Sequence, residues 1–421
     1  MNTEQRRFAG APVACCLMLL ITAAHSLRTE GPSAILWTAP GILFASLVIA
    51  WGTESAQFFI AQGFALAILA WLQTLPEFAV EAVLAWKQLT PFLLANLTGA
   101  LRMLTGLGWP MIYFSAAFVH RRRTKTPLRK ITLDIEHSVN VVGLLVALAY
   151  ISFVLWRGSL NLIDAAVLTA IYAGYLTILR RMPPRPGEEI DDLEMVPRTI
   201  VKSPRWRRIT LITACFLIGG ALIYFTAEPF VSSLLAIGGL LGISSFVLIQ
   251  WVAPFVSEFP EMLSTFYFAR TVTGAPMALM NMVSSNINQW TLLVAMLPVA
   301  LSLSIGAPSA LAMDPEQKLE LLLTIAQAAL GMMFLIDMVL AWWEAAGLFV
   351  LWLVQFVFSA MKPQGTSLLA VLGGHMHWWV TIAYFVWAGI EVIRLITGRR
   401  SAAAFVDFGR MWRMYVRRRP A

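Results

Sequence analysis

The chain has 421 residues, 59% of them hydrophobic and 13% charged, with a mean hydropathy of +0.73. A soluble domain carries about 25% charged residues, so this composition excludes a soluble globular protein and requires a multi-spanning membrane protein. Lys and Arg outnumber Asp and Glu by 31 to 23, yet the basic residues fall in the connections between apolar runs, which fits the positive-inside rule rather than nucleic acid. The three cysteines, Cys15, Cys16 and Cys215, make no disulfide framework or metal cluster and read as packing residues.

Arg6 and Arg7 precede an apolar run over 12–27, which reads either as a first membrane helix or as the hydrophobic part of a signal peptide and sets residues 1–33 apart. Runs over 34–52, 56–86, 91–119, 138–156 and 161–179 follow, most of them near the roughly 20 residues that a spanning helix needs. They make a first half over 34–180. The connection from His120 to Lys130 is strongly basic, as is the stretch from Arg180 to Arg208, which places both on the cytoplasmic side. Residues 181–208 form a linker, and its acidic cluster of Glu188, Glu189, Asp191, Asp192 and Glu194 reads as solvated chain. The second half, 209–361, carries runs over 209–226, 232–269, 276–305, 319–340 and 342–361. Residues 362–421 add a run over 374–396 and a basic tail with Arg417, Arg418 and Arg419.

These runs predict an all-α integral membrane protein with about ten to twelve transmembrane helices. Both termini are cytoplasmic if the first run is not cleaved, the expected location is the cell membrane, and the lipid bilayer is the expected partner. The oligomeric state stays open.

Two stretches break the apolar pattern in the same way. Val256-Ser257-Glu258-Phe259-Pro260-Glu261-Met262 is followed by Asn281-Met282-Val283-Ser284-Ser285-Asn286, and Thr74-Leu75-Pro76-Glu77-Phe78 by Ala95-Asn96-Leu97-Thr98-Gly99. Nineteen residues separate Glu77 from Asn96 and twenty separate Glu261 from Asn281, so this is an internal repeat. The connections after Glu77 and after Glu261 thread to opposite sides of the membrane, which makes the repeats inverted, with substrate expected near the midplane where broken helices meet.

A carboxylate at a helix centre costs about 2.5–3.5 kcal/mol on insertion scales, so such groups face a cavity or a partner. Pro76 and Pro260 remove the amides that would bond the carbonyls of Leu72 and Val256. Freed carbonyls beside carboxylates are hard oxygen ligands suited to Ca2+ or Na+. Asn281, Ser284, Ser285 and Asn288 share a helix face. Asn286 and Gln289 flank it, and Asn288 and Gln289 read most readily as contacts between helices. In the first repeat Arg102 stands on the corresponding helix. Near Glu77, Glu258 or Glu261 it would act either as a fixed internal cation or as a structural clamp.

The two stretches resemble the alpha-repeats of the sodium/calcium exchanger superfamily. The family's Gly-Thr-Ser-Leu-Pro-Glu element is matched by Gln73-Thr74-Leu75-Pro76-Glu77 and by Ser257-Glu258-Phe259-Pro260-Glu261. Its Gly-Asn-x-x-Gly-Ser-Asn element is matched by Ala95 to Leu101 and by Met280 to Asn286. The resemblance implies a secondary active antiporter that exchanges inorganic cations, Ca2+ against H+ or Na+, with no cofactor and no enzymatic activity. It implies Glu77 and Glu261 as the central carboxylate ligands, with Thr74, Ser257, Asn96, Asn281 and Ser285 as supporting oxygen ligands, and alternating access by sliding of the helices over 34–52 and 209–226. From the residues themselves Glu258 joins the cation-binding set, and Arg102 and Asn286 are read as modulating the site. The first and last runs look like additions to the ten-helix layout. Ala100, Leu101, Glu258 and Arg102 depart from the family pattern, and the alternative reading is a non-transporting member serving as a membrane sensor or scaffold. His375 and His377 form a close histidine pair without a metalloprotease spacing and read as an interfacial loop. Asp164, Asp337, Glu344 and Glu391 fall near predicted helix ends within reach of water and receive no role.

Overall fold

The computed structural model describes residues 31–56, 58–59, 71–72, 74–182, 193, 195–270, 274–361 and 374–417. The run over 12–27, Gln73, the acidic residues of the linker, and Arg418 and Arg419 lie outside the described residues.

The first half contains α1 (Ile35–Ala56), α2 (Leu75–Trp86), α3 (Thr90–Met103), α4 (Trp109–Thr124), α5 (Ser138–Arg157) and α6 (Leu162–Arg180). A short α7 (Met195–Val201) precedes the second half: α8 (Arg205–Leu241), α9 (Ser245–Ala269), α10 (Ala275–Asn288), α11 (Val294–Ile305), α12 (Pro315–Leu335) and α13 (Trp342–Met361). At the C-terminus come α14 (Met376–Ile396) and α15 (Ala403–Met411). Among the described residues, eight helices are long and apolar enough to cross a membrane. The protein is a multi-pass, all-α integral membrane protein.

Local chemistry sets many of the boundaries. Capping boxes of Asp134 with His137 and of Asp314 with Gln317 open the path into α5 and α12 at matching places of the two halves. Gly158 and Gly242 end α5 and α8 with φ of 75° and 65°, a left-handed conformation that favours glycine. Pro76 occupies the first turn of α2, where its missing N–H costs nothing.

Two sequence expectations about proline need correction. The runs over 209–226 and 232–269 are divided at Gly242, because α8 continues unbroken through Pro229. Pro260 likewise lies inside a continuous α9, together with Pro254, so the core helix is interrupted at Pro76 and not at Pro260. Neighbouring helices can satisfy the groups that a proline frees, which lets a membrane helix run through it.

The two halves are joined by short antiparallel pairings between connections. β1 (Lys130–Thr132), between α4 and α5, pairs with β4 (Val339–Ala341), between α12 and α13. β2 (Ser159–Leu160), between α5 and α6, pairs with β3 (Leu311–Ala312), between α11 and α12. The counterpart of β1 in the second half is β3, yet β3 sits with β2 at the far end of α5. Equivalent connections of the two halves therefore lie at opposite ends of the bundle.

The long helices α1 and α8 lie against each other through small residues. A Cβ placed on Gly219 would lie 2.5 Å from Ile49 Cγ1, and one on Gly41 would lie 2.9 Å from Thr226 Cγ2. Close approach of this kind is how helices associate without a hydrophobic driving force.

The acidic residues left without a role are structural. Asp164, Glu344 and Glu391 are buried. Asp164 caps α6 through Asn161 N and pairs with Arg157. Arg400, following α14, is paired with Glu344 at 2.6 Å, Glu391 at 2.7 Å and Asp337 at 3.2 Å. Burial pushes the Asp337 carboxyl above its usual range even beside Arg400. Burial alone would lower the Arg400 guanidinium, but Glu344, Asp337 and Glu391 together hold it above its ordinary value.

Candidate cation site

The site grows from the breaks in the apolar pattern. Because α2 starts at Leu75, Glu77 falls in its first turn, and Glu81 one turn later shares its face. Both are buried, at 1% and 0% exposure. Asn96 on α3 donates through Nδ2 to Glu81 Oε1 at 3.0 Å. On α9, Glu258 and Glu261 are three residues apart and also buried, at 2% and 8% exposure. Ser285 on α10 donates to Glu261 Oε2 at 2.9 Å.

One side chain ties the two repeats together. Gln289 Nε2 donates to Glu77 Oε2 at 2.7 Å and to Glu258 Oε1 at 2.6 Å. One residue earlier, Asn288 Nδ2 donates to Thr74 Oγ1 at 2.6 Å, again across the repeats. The Glu258 carboxyl lies next to both Glu77 and Glu261. Glu77 and Glu261 are thus linked through Glu258. Among the described residues no three acidic groups are arranged around one point as metal ligands.

Gln289 opens a five-residue π-helical turn, Gln289–Leu293, and the first repeat has the matching turn Leu104–Gly108 in the same place. Such turns are frequent at functional sites. The first of these turns follows α3, which packs against α9 at a glycine: a Cβ on Gly99 would lie 1.8 Å from the carbonyl oxygen of Gln250. That carbonyl is the one that Pro254 frees by lacking an N–H.

Several buried oxygens around the carboxylates remain without hydrogen-bond partners: Glu77 Oε1, Glu81 Oε2, Asn96 Oδ1, Asn288 Oδ1 and Gln289 Oε1. A buried acceptor left unsatisfied costs about 1–3 kcal/mol. Carboxylate and amide oxygens are the ligands that a hard cation takes, so the residues present fit a transported cation.

The expected ligands are distributed unevenly. Thr74, Glu77, Asn96, Glu258, Glu261 and Ser285 fall in this buried network. Ser257 is buried, but its hydroxyl donates to the carbonyls of Ala253 and Pro254 in its own helix. Asn281 is exposed at the start of the polar stripe. Asn286 is buried with neither side-chain polar atom bonded. Two residues of the network lie outside the expected ligand set: Glu81, signalled by its four-residue spacing from Glu77, and Gln289, whose amide in sequence reads equally as a contact between helices.

Arg102 does not reach these carboxylates. Its guanidinium pairs with Glu320 on α12 at 2.8 Å, bonds the Thr98 carbonyl through Nε at 3.0 Å and stacks over Trp251. Arg102 lies six residues beyond Asn96, about 120° around α3, and so faces α12 instead. The expectation of a fixed cation among Glu77, Glu258 and Glu261 is thereby corrected. Glu320 also receives Gln250 Nε2 at 2.8 Å and lies 2.6 Å from His377 Nδ1. His377 therefore belongs to the first turn of α14 and to a buried polar network, not to an interfacial loop.

The family model described as sodium/calcium exchanger protein matches residues 34–180 and 211–361. The chain belongs to the sodium/calcium exchanger family. Members of this family are transporters and not enzymes. The crystal structure of the H+/Ca2+ exchanger CAX is similar to this chain over 99% of its length and 98% of the other, at 27% identity and a TM-score of 0.82. The Ca2+/H+ antiporter protein YfkE shares the fold at 14% identity, over 85% of this chain and 99% of that one, with a TM-score of 0.59. The sodium-calcium exchanger NCX_Mj shares it at 19% identity, over 77% and 97%, with a TM-score of 0.50. No curated protein sequence matches the chain. The last helix lies outside the family match but within the part that is similar to CAX.

Proposed function

We propose that this member of the exchanger family is a cation antiporter that moves Ca2+ against H+, with Glu77, Glu81, Glu258 and Glu261 as the groups that carry the exchange. The observation that carries this reading is the contact between the two repeats at Gln289, which brings Glu77 and Glu258 onto one amide. A divalent cation is held by ionised carboxylates. When it leaves, those carboxylates stay in a low-dielectric interior, where an uncompensated charge is costly. A proton on a carboxyl removes that cost, so cation release and proton uptake are linked. The similarity to the H+/Ca2+ exchanger CAX supports protons over Na+ as the companion. So does the ligand set, which is rich in carboxylates and has Ala100 and Leu101 where neutral oxygen ligands were expected.

Gln289 has a second use. Its Nε2 bridges the carboxyls while Oε1 is unbonded, so turning the amide over converts a donor between two acids into a further oxygen ligand. Sliding of α1 and α8 along their small-residue contact supplies the rigid-body change that would expose the site to either side. The basic character of the connections over 120–130 and 181–208 supports a cytoplasmic side for both in a cell-membrane protein. The alternative, a non-transporting sensor or scaffold, loses one of its supports, because Arg102 pairs with Glu320 and not with the carboxylates of the site.

The linkage is tested by adding Ca2+ to the purified protein in weakly buffered solution and following pH with an indicator dye. The expected result is proton release that saturates with Ca2+ and is strongly reduced in Glu258→Gln. Ca2+ binding with no change in bound protons contradicts proton coupling.

A further inference from the structure

An open groove lies at the end of α4, formed by residues that take no part in the carboxylate network. There an open cavity of about 500 Å³ is walled by Tyr113, Phe114 and Phe118 of α4, by Arg121 and Arg129, and by Trp342 at the start of α13. Its frame is fixed by both halves of the protein. The Tyr113 hydroxyl donates to the Leu128 carbonyl, and Trp342 N donates to the Arg129 carbonyl at 3.1 Å, next to the β1–β4 pairing.

Two chemistries meet in this groove. Phe114 and Phe118 of α4 and Trp342 of α13 are 42%, 56% and 57% exposed, and the Arg122 guanidinium stacks over the Phe118 ring. At the other end stand Arg121 and Arg129, both exposed and neither in an ion pair among the described residues. The connection from His120 to Lys130 carries six basic residues and no acidic one. Guanidinium groups recognise phosphate by forked hydrogen bonds. Aromatic walls at the membrane interface suit glycerol and the upper acyl chain. Basic pockets between membrane helices on the positively charged side are where anionic headgroups bind.

We infer that this groove is a binding site for an anionic phospholipid, with Arg121 and Arg129 holding the phosphate and Phe114, Phe118 and Trp342 lining the acyl chain. A free phosphate ion would use only the two arginines and leave the aromatic wall without a function. Because Arg129 comes from the first half and Trp342 from the second, a bound lipid bridges the halves where their connections meet.

The test measures binding of phosphatidylglycerol and of phosphatidylcholine to the full-length protein in detergent by native mass spectrometry, with inorganic phosphate as a competitor. Two arginines near the membrane surface predict a preference for phosphatidylglycerol of roughly tenfold or more. Arg121→Gln with Arg129→Gln is expected to bring that preference near unity, while Lys125→Gln, which removes a charge from the same connection outside the groove, keeps it. Equal binding of the two lipids by the unaltered protein overturns the assignment, as does a preference that survives in the double variant. Full displacement of the lipid by millimolar phosphate points to a headgroup-only site and overturns it too. Should the double variant not fold, hydrogen exchange of residues 113–129 in the unaltered protein decides. Protection by phosphatidylglycerol and not by phosphatidylcholine supports the site, and equal protection contradicts it.

Discussion

Gln289 is the residue on which the two repeats depend most directly, since its single amide nitrogen satisfies carboxylates from both. Replacing it with Leu leaves Glu77 and Glu258 buried without that donor, at a cost of about 1–3 kcal/mol. It also removes the oxygen that the turned amide would offer a cation. Gln289→Leu is therefore expected to lower Ca2+ affinity by tenfold or more, measured by calorimetry on protein whose elution profile is unchanged. Unaltered affinity would remove Gln289 from the site. At this scale the sequence was informative where a carboxylate stands beside a proline in an apolar run, and it passed over Glu81 one turn further on. Glu77, Glu258 and Glu261 stood out because carboxylates in apolar runs need a reason. Amides gave a weaker signal, because Asn and Gln serve equally as ligands and as links between helices. The π-helical turn that begins at Gln289 also departs from the 3.6-residue period on which the stripe was read. Arg102 was misplaced for a related reason: only the packing of α3 against α12 shows that Glu320, far off in sequence, is its partner.

Among the elements, α3 and α9 are held at a separation that glycine sets. Gly99 faces the Gln250 carbonyl so closely that a Cβ would overlap it at 1.8 Å, and the contact involves backbone, which cannot swing aside. Gly99→Val must push α3 from α9, and overpacking of this kind costs about 1–3 kcal/mol or more. A clearly lower thermal midpoint in detergent is expected, together with loss of exchange. A midpoint equal to that of the unaltered protein would mean that the helices are not in this contact. Most helices were legible from apolar runs of spanning length, with basic connections between them. Helix ends at proline were less so. Pro76 does start a helix, whereas Pro229, Pro254 and Pro260 lie within continuous helices, as a membrane bundle allows. Proline marks a lost hydrogen bond, and whether the helix stops depends on packing that no short stretch of sequence contains.

For the molecule as a whole, the C-terminal helix is tied into the bundle by buried charge. Arg102, Glu320 and His377 connect α3, α12 and α14, and Arg400 gathers Glu344, Glu391 and Asp337 at the other end of α14. Removing one partner of a buried pair leaves an uncompensated charge and costs about 3–5 kcal/mol. Arg400→Met is thus expected to destabilise the protein strongly, and Arg400→Met combined with Glu344→Gln and Glu391→Gln to recover part of the loss. A chemical-denaturation or thermal series on the purified variants checks this; equal stability of the single and triple variants would contradict it. These clusters were illegible in the sequence because their members come from three or four distant segments, and Glu344 and Glu391 looked like solvated helix ends.

The central claim is that the carboxylates joined at Gln289 carry a Ca2+/H+ exchange. It is tested most directly by Ca2+ flux into proteoliposomes, with an imposed pH gradient in one preparation and an imposed Na+ gradient in another, and with Glu261→Gln alongside. The account predicts uptake driven by the pH gradient, none driven by Na+, and none in the variant under either gradient, with the variant inserted normally. Uptake that follows the Na+ gradient alone, or full uptake by Glu261→Gln, would contradict it.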